Sequence, residues 1–588
     1  MRIALINPPL GSVEQPFLAL AALQGHLTRH GLTDVTIYDV SQTIVDRFLT
    51  GGYMRETLDG LAERIARLEA LPALDLPAAM AYGAAVTARA AAEAALTHID
   101  DAVATLRDPV RFYDYAAYRQ AMFAVDQAFE AISGRHFPEL IARRNYTGSV
   151  LQDLDSDAEL QAYLAEPGRC LFAAEYARGI VDAIAASRPG LVGLSATFQD
   201  QFLPALVLAR MLRARLPDAH IVMGGAFLAS RRESIGARPW LFDVVDSMVV
   251  GEGETALLAL VQALERGTGL DAVPNLLRRV DGRVQPSAQQ VVEDLDALGL
   301  PDYTGYEVGK YLVPAWDVLY DPTRGCHWNR CTFCTVSLST RGAARQRKAV
   351  RIADDMQALC ERYGTNVISF STDAIPVPLM RSVSEEIIRR GLTVGWSSEF
   401  TLDKGLDRPT LELFAAAGCL LLLFGFESAS DRVVRAMRKG TLVSRTERII
   451  RDCAEVGIAV LLHVMVGFPG ETEADLEQTL AFIDANGRWI DTYEINAFHL
   501  DPGAPIYHQP EIGGITGIGR LKRAFNGQTQ LPYRVAAGIP IEQAAELVPV
   551  ARQRIERAIG FVGQPYLYQD GAQLHLYLKA FGRQHVRG

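Results

Sequence analysis

Two series of short apolar strands alternate with helical stretches, over residues 3–39 with 191–264 and again over 317–500, and they predict an α/β fold with two mainly parallel sheets. An Ala-rich helical stretch at about 42–186 interrupts the first series, and 78 residues, 511–588, lie beyond the domain that holds the second. The expected architecture is a Rossmann-like domain (1–266) carrying a helical insertion and a linker (267–316). After these come a partial (β/α)6 TIM-like barrel (317–510) and a small, mostly helical C-terminal domain (511–588).

The elements justify this in order. IALINP (3–8) alternates into a strand, FLALAALQGHLTRHG has helical period, and VTIYDV (35–40) is a second strand. The insertion is plainest in MAYGAAVTARAAAEAALTHIDDAVATL (80–106). Alternation resumes with LVGLSAT (191–197), HIVMGG (220–225) and VVDSMVVGEGETALLALVQAL (244–264). VPNLLRRVDGRV (273–284) is expected as a small hairpin within the linker. In the second series the strands are NVISFSTD (366–373), LTVGWSSEF (392–400), CLLLLFGFES (419–428), IAVLLHVMVGFPGET (458–472) and DTYEINAFHL (491–500). With the segment around the cysteine loop they make six units in about 185 residues, which suits an open half-barrel better than a closed eight-stranded one.

Apolar residues make up 49% and charged ones 22%, a globular balance. The longest apolar runs, at 418–426 and 457–468, are shorter than the roughly 20 residues a bilayer needs. MRIALINPPL reads as a buried first strand without a cleavage site, so a cytoplasmic protein away from membranes is expected. A net charge of -11 argues against a nucleic-acid surface. The basic run RGAARQRKAVR (341–351) is read as a solvated helix face. Seven scattered cysteines do not form a disulfide framework.

Three of them, Cys326, Cys331 and Cys334, fall within nine positions of RGCHWNRCTFCTV (324–336). Structural zinc takes four ligands, and His327 adjoins Cys326 too closely to share a tetrahedral ion with it. A redox dithiol made of CTFC leaves Cys326 without a role. An iron–sulfur cubane with three thiolates leaves one iron open to chelate another molecule. Cys170, Cys360, Cys419 and Cys453 are isolated and read as small buried residues.

At this point the loop resembles that of the radical SAM superfamily, whose [4Fe-4S] cluster binds S-adenosylmethionine at its open iron. The family motif is CxxxCxxC with an aromatic before the last Cys. Phe333 fits, but four residues instead of three separate Cys326 from Cys331. By the same resemblance FSTD offers Ser371, Thr372 and Asp373 to the methionyl ammonium, and GFES places Glu427 and Ser428 on the ribose. Lys439 follows in MRKGT, and Gly467 in VGFPGET packs against adenine.

The first domain lacks GxGxxG after its first strand, which disfavours NAD and FAD. It resembles the cobalamin-binding domain fused ahead of many radical SAM enzymes. The resemblance assigns cobalamin contacts to Pro8, Pro9 and Leu10, to Ser195 and Thr197, to Gly224 and Gly225, and to Gly251, Glu252, Gly253 and Glu254. No DxHxxG follows the first strand, so no protein histidine is expected as lower ligand of cobalt.

Together these imply a cobalamin-dependent radical SAM enzyme. The commonest activity of that family is C-methylation of an unactivated carbon, through a 5′-deoxyadenosyl radical and methylcobalamin, on a natural product or peptide. An external one-electron reductant of flavodoxin or ferredoxin type is implied. Cyclisation or rearrangement without methyl transfer uses the same motifs, and a non-catalytic cobalamin or iron–sulfur sensor is a third reading. Toward the substrate, His327, Trp328, Tyr493, Glu494, Asn496 and His499 are expected at the cavity, with His499 as candidate proton carrier.

Overall fold

The computed structural model describes residues 1–588 except 144, 148–155, 341, 343, 520, 521, 524–528, 561–570 and 587–588. The chain divides into two compact units. The first comprises Met1–Glu293, Gly299–Pro314 and Lys522–Thr529, and the second Asp294–Leu298, Ala315–Leu521 and Gln530–Gly588.

The first unit is built on a seven-stranded sheet of order β2-β1-β3-β4-β5-β6-β7. Its strands are β1 (Ile3–Asn7), β2 (Val35–Asp39), β3 (Leu191–Ser195), β4 (His220–Gly224), β5 (Ser247–Val249), β6 (Leu276–Val280) and β7 (Arg283–Pro286). The first five are parallel, with Ile3 opposite both Val35 and Leu191. All five residues of β1 and of β3 are buried, which is why both read as continuous apolar runs. The order 2-1-3-4-5 puts a topological switch point between β1 and β3, and the crevice at such a point is where open α/β sheets bind ligands. The hairpin β6–β7 adds two antiparallel strands to the edge of this sheet instead of standing in a linker.

The sheet is flanked by α1 (Leu18–Arg29). The insertion folds as α2 (Gly51–Glu69), α3 (Leu76–Arg107) and α4 (Tyr115–His136), with caps from Thr50, Asp75 and Asp114. Its alanines serve a close helix crossing. Ala85, Ala92 and Ala95 are fully buried on α3, and a Cβ on Gly134 of α4 would stand 2.1 Å from that of Ala88. Beyond the insertion, α5 (Gln199–Arg215) follows β3 and α6 (Glu254–Arg266) follows β5.

The second unit is a six-stranded parallel sheet in sequential order. Its strands are β8 (Val318–Tyr320), β9 (Val367–Phe370), β10 (Gly395–Phe400), β11 (Cys419–Glu427), β12 (Ala459–Val466) and β13 (Thr492–Ala497). The connecting helices are α7 (Ala349–Tyr363), α8 (Val377–Arg390), α9 (Arg408–Ala416), α10 (Val443–Glu455) and α11 (Glu473–Asn486). This is the open (β/α)6 arrangement. The C-terminal helices α12 (Ile541–Ile559) and α13 (Ala572–Phe581) pack directly on it. Tyr493 donates to Glu556 of α12 at 2.7 Å. From α13, His575 sits 2.7 Å from Asp317 and 2.8 Å from Ser369, within a buried network that Ser397 joins.

The basic run departs from a solvated face. Arg347 is buried, donating to Asp321 and to the carbonyl of Leu295 and stacking over Tyr320. Two of the run's positions, 341 and 343, lie outside the described residues. Among the described residues no helix is long and apolar enough to cross a membrane.

Candidate functional site

At the carboxyl end of the half-barrel strands, Cys326, Cys331 and Cys334 line one cavity of about 330 Å³. The loop carrying them is pinned from outside. The Thr332 N–H donates to the carbonyl of Met437 at 3.0 Å, the Trp328 indole donates to that of Arg438 at 2.8 Å, and the Ile506 N–H donates to Thr332 at 2.8 Å. Gly440, with φ +75°, makes room for the indole: a Cβ there would stand 2.4 Å from the ring.

Burial pushes the Cys331 thiol up to about 11, against the pull of Lys439. It raises Cys334 as well. A cluster's iron would have to displace these protons. Among the described residues no three His, Cys, Asp or Glu side chains converge on one ion. Three thiols spread around a shared cavity suit a cluster with one thiolate per iron, and the donor set fits that group.

The other predicted residues divide. Phe333, Asp373, Glu427 and Lys439 line the cavity. Asp373 accepts from the Gly325 N–H at 2.9 Å, and burial raises its carboxyl. Glu427 closes β11 at a register shift with φ +65°, a conformation that costs a non-glycine residue about 1–2 kcal/mol. It accepts from Lys439 at 2.8 Å, and Lys439 lies 5.5 Å from the Phe333 ring centroid.

Ser371 and Thr372 lie at the end of β9. The Ser371 N–H donates to Tyr320 at 2.8 Å, and the Thr372 hydroxyl meets that of Thr323. Ser428 turns away, its buried hydroxyl 3.0 Å from that of Thr479 on α11. The glycine at 467 is required by packing: with φ +80°, its Cβ would stand 2.5 Å from Ala544 of α12.

Of the residues expected toward substrate, Trp328, Glu494 and Asn496 line the cavity. His327 and His499 are exposed, and the Tyr493 hydroxyl is directed to α12. Two wall residues escaped sequence reasoning, Glu399 on β10 and His463 on β12, the latter 3.2 Å from Glu494 through Nδ1. A histidine inside IAVLLHVMVGF looks like core; strand alternation is the signal that could have placed it inward.

In the first unit the predicted loops gather at the carboxyl edge of the sheet. Pro8, Pro9 and Leu10 follow β1, Ser195 and Thr197 end β3, Gly224 and Gly225 end β4, and Gly251 to Glu254 follow β5. Ser195 and Thr197 hydroxyls are 3.5 Å apart. A Cβ on Gly224 would meet only ordinary contact, 3.8 Å from the Val249 side chain, whereas Gly225, at φ +123°, presses within 2.1 Å of the Ala196 carbonyl at its Cβ position, so it serves chain packing. Gly251 also has positive φ. Glu252 accepts from the Glu293 N–H at 2.8 Å and so helps build the loop, and Glu254 is buried at the start of α6.

Gln201 was not anticipated. Fully buried, it donates to Asn7 and to the Pro8 carbonyl and accepts from the N–H groups of Thr197 and Phe198, tying the loops on both sides of the switch point. Gly224 leaves bare backbone beside these two tied loops on the sheet's ligand-binding edge, which fits a flat ligand laid on backbone.

A half-barrel with three cysteines around one cavity and a sheet with a switch-point crevice are the arrangement that the resemblance to cobalamin-dependent radical SAM proteins implies. Residues 320–483 match the radical SAM superfamily and residues 168–261 the B12 binding domain. The chain thus carries a B12-binding domain ahead of a radical SAM domain. These two domains imply a [4Fe-4S] cluster, S-adenosylmethionine and cobalamin as cofactors.

An uncharacterized methyltransferase of Pyrococcus horikoshii is 27% identical over 301 residues, covering 50% of this chain and 64% of the relative. An anaerobic magnesium-protoporphyrin IX monomethyl ester cyclase of Rubrivivax gelatinosus is 28% identical over 278 residues, covering 45% and 48%. The chain thus spans less than two thirds of these relatives. In fold it is similar to the radical S-adenosylmethionine methyltransferase TsrM of Kitasatospora setae, with cobalamin and a [4Fe-4S] cluster bound. The TM-score is 0.56 at 16% identity, over 97% of this chain and 90% of that one.

Proposed function

We propose that this protein is a cobalamin-dependent radical SAM methyltransferase that transfers a methyl group to carbon of a small molecule or peptide. The single observation carrying the reading is the cavity in which three cysteines meet the Glu427–Lys439 pair and a polar wall, in a chain that also holds a B12-binding domain. When bound, the cluster with S-adenosylmethionine supplies hydrogen abstraction and cobalamin supplies the methyl group.

The chain's own residues hold and orient. Cys326, Cys331 and Cys334 would take one iron each and leave the fourth open. Asp373 and Glu427 present acceptors to the ammonium and ribose hydroxyls of S-adenosylmethionine, and Lys439 fixes Glu427. Ser371 and Thr372 shape the end of β9 beside them, and Phe333 closes over Lys439. Pro8 to Leu10, Ser195, Thr197, Gly224 and Gly251 to Gly253 would hold the corrin, with Gln201 and Glu252 stiffening the loops. The substrate would meet Trp328, His463, Glu494 and Asn496. An external one-electron reductant is required.

The cyclase relative keeps cyclisation as a second reading, separated by the products of S-adenosylmethionine. The test of the cofactor assignment is iron, sulfide and cobalamin analysis of anaerobically purified protein. The triple Cys326, Cys331 and Cys334 to Ala variant is expected to lose iron and sulfide while keeping cobalamin. Retention of a full cluster in that variant refutes the ligand assignment.

A further inference from the structure

We propose that His463, oriented by Glu494, is a proton-transferring residue of this cavity and acts on an N–H or O–H group of the substrate. This rests on the reading of the chain as an enzyme whose substrate enters the cysteine-lined cavity.

Strand register makes the case. On β12 the residues Leu461, His463 and Met465 share one face, and His463 stands opposite Gly425 on β11 and Glu494 on β13. Gly425 leaves its flank to the Glu427–Lys439 pair: a Cβ there would stand 2.6 Å from Nζ of Lys439 and 3.0 Å from Oε1 of Glu427. Glu494 is 3.2 Å from Nδ1, which fixes the tautomer with Nδ1–H toward the carboxylate and leaves Nε2 as the acceptor. His463, Glu494, Glu399 and Asn496 all line the cavity that holds the three cysteines.

The charged groups around the ring come from three strands, the two that flank β12 and the next one beyond. They are Glu399 on β10, Glu427 on β11 and Glu494 on β13; Lys439 is taken up by Glu427 at 2.8 Å. Burial lowers the affinity of His463 for a proton, but Glu494 first, then Glu399 and Glu427, more than restore it, and the net direction is upward. Such a dyad holds a proton and returns it, the arrangement general acid–base chemistry uses.

Abstraction of a hydrogen atom by a radical needs no base. A base in the same cavity therefore serves a different bond. The X–H bond of a substrate nitrogen or oxygen breaks, its electron pair stays on X, and the proton forms the new N–H bond at Nε2. The imidazolium is balanced by Glu494, and the reverse step returns the proton. The substrate class that follows is one with an ionisable N–H or O–H group near the reacting carbon.

The test is modification of the reconstituted holoenzyme, with S-adenosylmethionine bound, by diethyl pyrocarbonate, which acylates only unprotonated imidazole. Peptide mass spectrometry reads His463 alone across about pH 5.5 to 9. The expected result is acylation with a midpoint above the ordinary value of about 6.5, shifted down in Glu494→Gln, and absent from that peptide in His463→Gln. A His463 that is never acylated, or whose midpoint is unchanged in Glu494→Gln, overturns the proposal. Formation of 5′-deoxyadenosine in the same wild-type samples tests the enzyme reading separately. Titration as expected without any cleavage overturns that reading, and the substrate role with it, while leaving the dyad's geometry standing.

Discussion

Substituting Gly440 by Ala should release the cysteine loop from a distance, with no cysteine touched. Gly440 has φ +75°, so alanine pays about 1–2 kcal/mol for a left-handed backbone. Its Cβ would also stand 2.4 Å from the Trp328 ring, so the indole must move and give up its hydrogen bond to the Arg438 carbonyl, worth about 1 kcal/mol. The sum is about 2–3 kcal/mol, borne by a loop in which Trp328 lies between Cys326 and Cys331. The assay is a double-mutant cycle with Trp328→Ala, reading denaturant unfolding together with iron retained per chain. In the Trp328→Ala background Gly440→Ala should cost only the backbone part, giving a coupling of about 1 kcal/mol. Iron content should fall in each single variant. Equal cost of Gly440→Ala in both backgrounds, with iron unaffected, would refute the reasoning.

Lys439→Met leaves Glu427 without its cationic partner in a mostly buried setting, and S-adenosylmethionine affinity, measured by equilibrium dialysis, should fall at least tenfold. Gln201→Ala strips acceptors from the half-buried N–H groups of Thr197 and Phe198, about 1 kcal/mol for each lost hydrogen bond; cobalamin should be lost on gel filtration while cluster content holds. His575→Ala removes the ring from the buried Asp317 and Ser369 network, and unfolding free energy should drop by about 3 kcal/mol with cofactor content per folded chain unchanged. Glu471 is fully buried, and burial raises it to about 7 even though it accepts from the Gly467 N–H. The folded state therefore binds the proton more tightly than the unfolded one. Stability should fall by roughly 3 kcal/mol as pH rises from 4.5 through 7, and Glu471→Gln should flatten that slope in denaturant titrations.

The order of elements was legible because the inner strands are largely buried on both faces and read as continuous apolar runs, as CLLLLFGF does, whereas the edge strands β2 and β7 are half-buried or exposed. Chemistry at strand ends was legible for the same reason: polar residues such as Asp373 and Glu427 stand out immediately after such runs. What stayed hidden depends on direction or on distant partners. Tyr493 and Glu494 are adjacent on one strand and must face opposite ways, so only one could reach the cavity. Ser428 and Gly467 sit in motif positions yet answer to Thr479 and Ala544, contacts that local spacing cannot reveal. Gln201 and His575 act across 194 and 258 residues of chain, on Asn7 and Asp317. Arg347, in a run of like charges, found a buried carboxylate and two carbonyls.

The most direct measurement is the product balance of S-adenosylmethionine in the anaerobically reconstituted protein supplied with a one-electron reductant. The account predicts both 5′-deoxyadenosine and S-adenosylhomocysteine, with deoxyadenosine abolished in the triple cysteine variant. Deoxyadenosine without S-adenosylhomocysteine would contradict methyl transfer, and no cleavage by protein holding a full cluster and cobalamin would contradict the central claim.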